Sequence, residues 1–103
     1  MRMTRSLIQV AAELLSRPDD NHWGYELVKR SGERSGVVYP MLTRMLVDGW
    51  LADGWEDPAT IKEKRPPRRY YTLTMLGREE LGAALRAARN DRRFAAMNLG
   101  WVR

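Results

Sequence analysis

Residues 23–49, WGYELVKRSGERSGVVYPMLTRMLVDG, decide the fold, because two helical segments meet there across a connection long enough only for a turn. The first runs from about Trp23 to Arg30, with Tyr25, Leu27 and Val28 available for burial, and Gly32 terminates it. Lys29 and Arg30 sit in its last turn, where the negative end of the helix dipole favours positive charge. In the second segment Val38, Leu42, Met45 and Leu46 recur on one helical face. Pro40 has no backbone donor, so this helix starts near Gly36, where the loss is smallest, with Ser35 or Gly36 as its cap. Asp48-Gly49 ends it. Two helices joined this tightly outline a helix-turn-helix.

Upstream, Leu7, Val10, Ala11, Leu14 and Leu15 form an apolar stripe within Thr4 to Arg17, a helix stopped by Pro18-Asp19-Asp20-Asn21. Downstream of Gly49 the period shortens to two. Trp50-Leu51-Ala52 with Trp55 reads as one strand and Arg68 to Thr74 as another. On the second strand Arg69, Tyr71 and Leu73 share one face, and Arg68, Tyr70 and Thr72 share the other. Asp57 to Pro67 is the polar, proline-containing loop between them. Thr74 caps a last helix, along which Leu81, Ala84, Leu85, Ala88 and Ala95 recur, and the tail stays apolar through Phe94, Met97, Leu99 and Trp101. The fold class is therefore mainly α with a small β-hairpin. A winged helix-turn-helix domain spans residues 1–74, and an additional C-terminal helix with an apolar tail spans 75–103.

With 103 residues, 44% of them hydrophobic, the chain is the size of one domain with one modest core. Its apolar runs fall well short of the roughly 20 residues that cross a bilayer, and no signal pattern opens it, so no membrane contact and a cytoplasmic location are expected. Without cysteine there is no disulfide framework and no thiolate metal site, and no metal or cofactor is expected. His22 is the only histidine and reads as a helix-start residue; the carboxylates are scattered, and no glycine-rich phosphate loop appears. An enzyme is not expected. The net charge of +5 is concentrated: Lys62, Lys64, Arg65, Arg68 and Arg69 stand against Glu63 alone, so the hairpin segment carries +4. Such a charge on a nearly neutral body points to an anionic partner, although charge alone does not separate a binding site from a solvated basic loop.

Helix-turn-helix geometry makes that partner double-stranded DNA. The second helix of the motif enters the major groove by its N-terminal part, here Arg34, Ser35, Gly36, Val37, Tyr39 and Met41. Ser35 and Tyr39 can donate to phosphate oxygens, and Arg34 and Arg44 can reach phosphate or a guanine edge. Beside the helix, Lys64, Arg65, Arg68 and Arg69 of the hairpin can follow the backbone or enter the minor groove. Other roles are open to several of these residues. Tyr39 and Tyr71 can be core aromatics, the preferred reading for Tyr71 alone; Arg69 can equally be an ion-pair partner, Arg44 a partner of Asp48 four residues on, and Ser35 a cap that still contacts DNA.

Specific stretches carry a family resemblance. Gly24-Tyr25-Glu26-Leu27, Val38-Tyr39-Pro40-Met41-Leu42, Arg44-Met45-Leu46, Asp48-Gly49-Trp50-Leu51, Arg65-Pro66-Pro67-Arg68-Arg69-Tyr70-Tyr71-Thr72-Leu73-Thr74 and Gly77-Arg78-Glu79-Glu80-Leu81 together resemble the PadR-type transcriptional regulators. The resemblance covers about Leu7 to Leu85. It implies a dimeric regulator, usually a repressor, that binds inverted-repeat operators, associates with the nucleoid when bound, and releases DNA on binding a small aromatic compound. Carried over by position, Tyr39 becomes a phosphate contact, and Arg68 and Arg69 become wing residues. Leu81, Leu85 and Ala88 line a dimer seam that the first helix aids through Leu7. Arg89 and Arg92 interrupt that seam, so Phe94, Met97 and Trp101 extend it. The alternative is a winged-helix module that associates with DNA without reading sequence, or that binds protein.

Overall fold

The computed structural model describes residues 1–94, 96 and 97. The expectations for Ala95, Leu99 and Trp101 lie outside those residues. In chain order the elements are α1 (Arg5–Ser16), β1 (His22–Trp23), α2 (Gly24–Ser31), α3 (Ser35–Val47), β2 (Leu51–Trp55), β3 (Arg69–Leu73) and α4 (Met75–Arg89). Short 3-10 turns at Pro58–Thr60 and Arg92–Phe94 complete the described chain.

Local chemistry sets most of the boundaries. Thr4 caps α1 by accepting from the Leu7 N–H at 3.1 Å, and Thr74 caps α4 by accepting from the Gly77 N–H at 3.0 Å. Gly32 closes α2 in the left-handed region at φ 74°, a conformation that costs a residue with a Cβ and costs glycine nothing. The N-cap of α3 is Arg34, without a side-chain cap bond, so Ser35 is the first helical residue and not the cap. Pro40 stands in the second turn of α3, a turn later than the least costly place for a missing donor.

The hairpin is part of a three-stranded antiparallel sheet in the order β1-β3-β2. His22 and Trp23, read from sequence as the start of a helix, form an edge strand instead, with His22 opposite Tyr71 and Trp23 opposite Tyr70. Two residues are too few to show a period, and only pairing with the distant Tyr70 and Tyr71 makes them a strand. The opposite side of β3 pairs Asp53 with Tyr71, Gly54 with Tyr70 and Trp55 with Arg69. One sheet face therefore carries the row His22, Tyr71, Asp53, and the other the row Trp23, Tyr70, Gly54. In the second row the Trp23 and Tyr70 rings meet edge to face at 5.5 Å, and a Cβ on Gly54 would lie 2.6 Å from the Tyr70 ring.

The core forms between α1 and α4 and against α2 and α3. Leu7, Ile8, Val10, Ala11 and Leu14 of α1 meet Leu27, Val38, Leu42, Met45, Leu81, Leu85 and Ala88, with Phe94 and Met97 closing one end. Leu7, Leu81, Leu85, Ala88, Phe94 and Met97, the residues expected at a dimer seam, are buried within the single chain, Leu81 at 0% and Leu85 at 1% exposure. The helical period read from sequence reports which face is buried, and α1 of the same chain covers it.

The sheet is fastened to α4 at one corner. Thr74 Oγ1 donates to the Gly49 carbonyl at 2.6 Å, and the Thr74 N–H donates to the Trp50 carbonyl at 3.1 Å. Gly77 passes so close to that carbonyl that a Cβ would overlap it. Arg78 donates to the Pro18 carbonyl at 3.2 Å and pairs with Asp19, tying α4 to the loop after α1.

His22 is fully buried, its Nε2 is 2.8 Å from the Arg17 carbonyl, and its Nδ1 has no protein partner. Burial away from water holds its pKa below 6.5, against the opposing influence of the Arg17 carbonyl.

Two outcomes follow from the core. Leu85→Ala is expected to lower stability by about 3 kcal/mol, as for other buried leucines. The loss should be the same at protein concentrations a decade apart in chemical denaturation, whereas a seam leucine would make it concentration-dependent. Stability should also fall on acidification. The unfolded chain takes up its histidine proton near pH 6.5 and the folded chain resists until a lower pH, so the stabilisation is complete above 6.5 and declines below it. A melting temperature that stays level from about pH 7 to 5.5, or a slope that survives in His22→Gln, would contradict this account.

Candidate nucleic-acid interface

The leading end of α3 is open to solvent. Arg34, Ser35, Gly36, Val37, Tyr39 and Pro40 are exposed, while Val38, Leu42 and Met45 anchor the opposite side of the helix in the core. The three-residue turn after α2 and the left-handed Gly32 are what swing α3 outward.

The sheet lies on the same side. A cleft of about 340 Å³ is lined by Gly24 and Tyr25 of α2, Tyr39 of α3, and Arg68, Arg69 and Tyr71 at and before β3. Thus the helix and the base of the wing share one surface. Gly24 is what allows them to come this close, because a Cβ there would stand 2.5 Å from Tyr39 Cε1. The Arg68 guanidinium lies 5.3 Å from the centroid of the Tyr25 ring, and Arg69 lies at the same distance over Tyr71. Tyr71 is buried, as its reading as a core aromatic requires, and burial raises its pKa.

The cations expected at the interface divide into two groups. Arg44 pairs with Asp48 at 3.1 Å, Arg65 with Glu56 at 2.6 Å, and Arg69 with Asp53 at 2.6 Å. The hydrogen bond from Arg69 to Asp53 raises the arginine's pKa further. Arg34, Lys64 and Arg68, together with Lys62, form no ion pair among the described residues. An unpaired exposed cation is free to meet a phosphate, whereas a paired one must first give up its carboxylate.

Sequence reasoning passes over five residues of this surface. Gly24 and Tyr25 belong by sequence to α2 and to the family motif, and nothing local marks them as neighbours of Tyr39. Asp53 and Glu56 carry the wrong sign for a DNA surface and disappear in a search for cations. Trp55, 65% exposed, is the cross-strand partner of Arg69 and projects from the same sheet face. Among the described residues no group of three or more His, Asp or Glu side chains is placed to hold a metal ion, and no helix is long and apolar enough to cross a membrane.

Residues 13–83 match the model of the Transcriptional regulator PadR-like family, a span that takes in α2, α3, the sheet and the wing. The chain belongs to that family. A PadR family transcription regulator from hypervirulent Clostridium difficile R20291 superposes with a TM-score of 0.64, covering 82% of this chain and 88% of that one at 20% identity. A PadR family transcriptional regulator from Eggerthella lenta DSM 2243 superposes with a TM-score of 0.58 over 75% of this chain and 69% of that one, at 27% identity. No curated protein matches the sequence. This PadR-like chain is thus a transcriptional regulator and not an enzyme, its family implies DNA binding, and its fold is that of the PadR winged helix-turn-helix structures.

The packing of Gly24 on Tyr39 is open to a direct check. Gly24→Ala should displace the Tyr39 ring and move its proton resonances, while the melting temperature drops by only a few degrees because the ring can swing into solvent. Unchanged Tyr39 resonances in a folded variant would show that the two residues are not in contact.

Proposed function

We propose that this PadR-like protein is a dimeric repressor that recognises a double-stranded, inverted-repeat operator, each protomer placing α3 in the major groove and its wing along the adjacent backbone. The observation that carries this reading is the shared surface: Tyr39 of the exposed leading end of α3 and the unpaired Arg68 at the base of the wing line one cleft, with Arg34 at the helix start. Tyr39 donates to phosphate from the cleft, Ser35 and Val37 permit close approach, and Arg34 and Arg44 supply reach to phosphate or base. Arg65 and Arg69, held by carboxylates, shape the wing more than they bind. Dimer formation then rests on the outer side of α4, where Met75 and Leu76 are exposed, since its inner face is filled by α1. Release by a small aromatic compound, which the family resemblance implies, completes the regulatory cycle. Quenching of tryptophan fluorescence by planar aromatics, together with loss of DNA binding, is its test.

The main test is a gel shift and footprint on the DNA upstream of the protein's own coding region. With Arg34, Lys64 and Arg68 from each of two protomers at phosphates, affinity should fall about 1,000-fold between about 50 and 200 mM salt. Arg68→Ala should weaken binding evenly across sequences and lower the salt slope by about one per protomer. Equal affinity for scrambled duplexes would favour the module that reads no sequence, and no binding to any duplex at low salt would end the DNA reading.

A further inference from the structure

We infer that Glu56 is a positioning residue of the wing: an acid whose carboxylate clasps Arg65 and the Arg68 backbone, and so holds the loop in the shape that presents its remaining cations. The inference rests on the DNA-binding reading above for its functional consequence, and on geometry alone for the clasp. Glu56 directly follows β2, and Arg68 directly precedes β3, so the two stand at the mouth of the loop. There the Glu56 N–H donates to the Arg68 carbonyl at 2.9 Å, which extends the strand pairing by one step. The side chain then adds three bonds. Glu56 Oε1 accepts from Arg65 Nη1 at 2.6 Å and from the Arg68 N–H at 2.8 Å, and Oε2 accepts from Arg65 Nη2 at 3.1 Å. Arg65 also donates to Glu63 at 3.0 Å and to the Pro66 carbonyl at 3.3 Å.

The result is a two-pronged arginine–carboxylate pair bridging residues nine apart, within a loop that is otherwise largely exposed. The Glu56 and Arg65 side chains are only 18% and 23% exposed. Pro66 and Pro67 stiffen the return limb, since a proline ring fixes φ, and the Asp57 side chain accepts from the Ala59 N–H at 2.9 Å on the outgoing limb. With Arg65 and its charge turned inward, Lys62, Lys64 and Arg68 remain directed to solvent without carboxylate partners among the described residues. The hydrogen bond from Arg65 holds the Glu56 carboxyl down to about 2, so the clasp stays ionised throughout the physiological range.

Two pictures of this wing make opposite predictions. By charge alone, Glu56 repels DNA and Arg65 attracts it. In the clasped wing, Glu56 aids binding because the loop is ordered before DNA arrives, and ordering it at the moment of contact would subtract from affinity. Arg65 then contributes no phosphate contact.

The experiment uses the full chain, with Glu56→Gln and Arg65→Met. Affinity is measured for a duplex from the protein's own upstream region and for a scrambled duplex, while tryptic cleavage after Lys62 and Lys64 is followed in the free proteins. The expected results are these: Glu56→Gln binds both duplexes about fivefold to tenfold more weakly, despite its gain of one positive charge; cleavage in the loop quickens several-fold; and the melting temperature moves by no more than a few degrees. Arg65→Met should also weaken binding, but with the salt slope unchanged. Stronger binding by Glu56→Gln, or a salt slope reduced by about one per protomer in Arg65→Met, would overturn the inference in favour of simple charge. If the unaltered protein binds neither duplex, the DNA reading fails by itself. Loop cleavage that does not differ between the unaltered protein and Glu56→Gln rejects the clasp.

Discussion

Tyr71, at the centre of β3, is paired on both sides: His22 lies opposite it on β1 and Asp53 opposite it on β2. It is buried, and it stands in line with Arg69, which it stacks under, and with Leu73, which leads into the Thr74 cap of α4. The strand on each side of it is short, and an isolated hairpin of this length would be marginal in water. Once β3 is held by two neighbours and by the core beneath, its N-terminal end can carry arginines to the surface without unravelling. The position of Arg68 beside Tyr25 and Tyr39 is a consequence of that anchoring.

A basic surface that must meet an anion faces a conflict, because like charges held close together repel and splay the loop that carries them. Here the conflict is resolved by acids placed among the bases. Asp53 neutralises Arg69, Glu56 neutralises Arg65, and Asp48 takes up Arg44 at the far end of α3. The cations that keep their charge free are those that the backbone already points outward. Such partly exposed pairs add little to global stability. Their effect is on the shape of the wing and on which charges are left for a partner.

The contact of Gly24 with Tyr39 belongs to the same logic on the helical side. A residue with a Cβ at the start of α2 would push the tyrosine ring away. With glycine, the ring lies down against the helix start, and the cleft between α3 and the wing opens beside it. Gly77 does the equivalent at the back of the molecule, letting α4 pass against the Trp50 carbonyl so that sheet and helix meet at a fixed angle.

Much of this was legible in residue order. The stripes of α1, α3 and α4, the Gly32 stop, the Thr74 cap and the alternation along β3 are local: each depends on neighbours within about one or two helical turns. The sequence alone therefore determined the four helices and two hairpin strands in their order, the helix-turn-helix, the family and the segment bearing the charge. Tertiary structure decided what those periodicities cannot encode. It made His22 and Trp23 an edge strand, packed the apolar faces of α1 and α4 against each other within the chain, and chose which arginines are paired. The physical reason is range. A helical period records that a face is buried but not by what, and a charge in a sequence carries no mark of the carboxylate that the fold will bring to it.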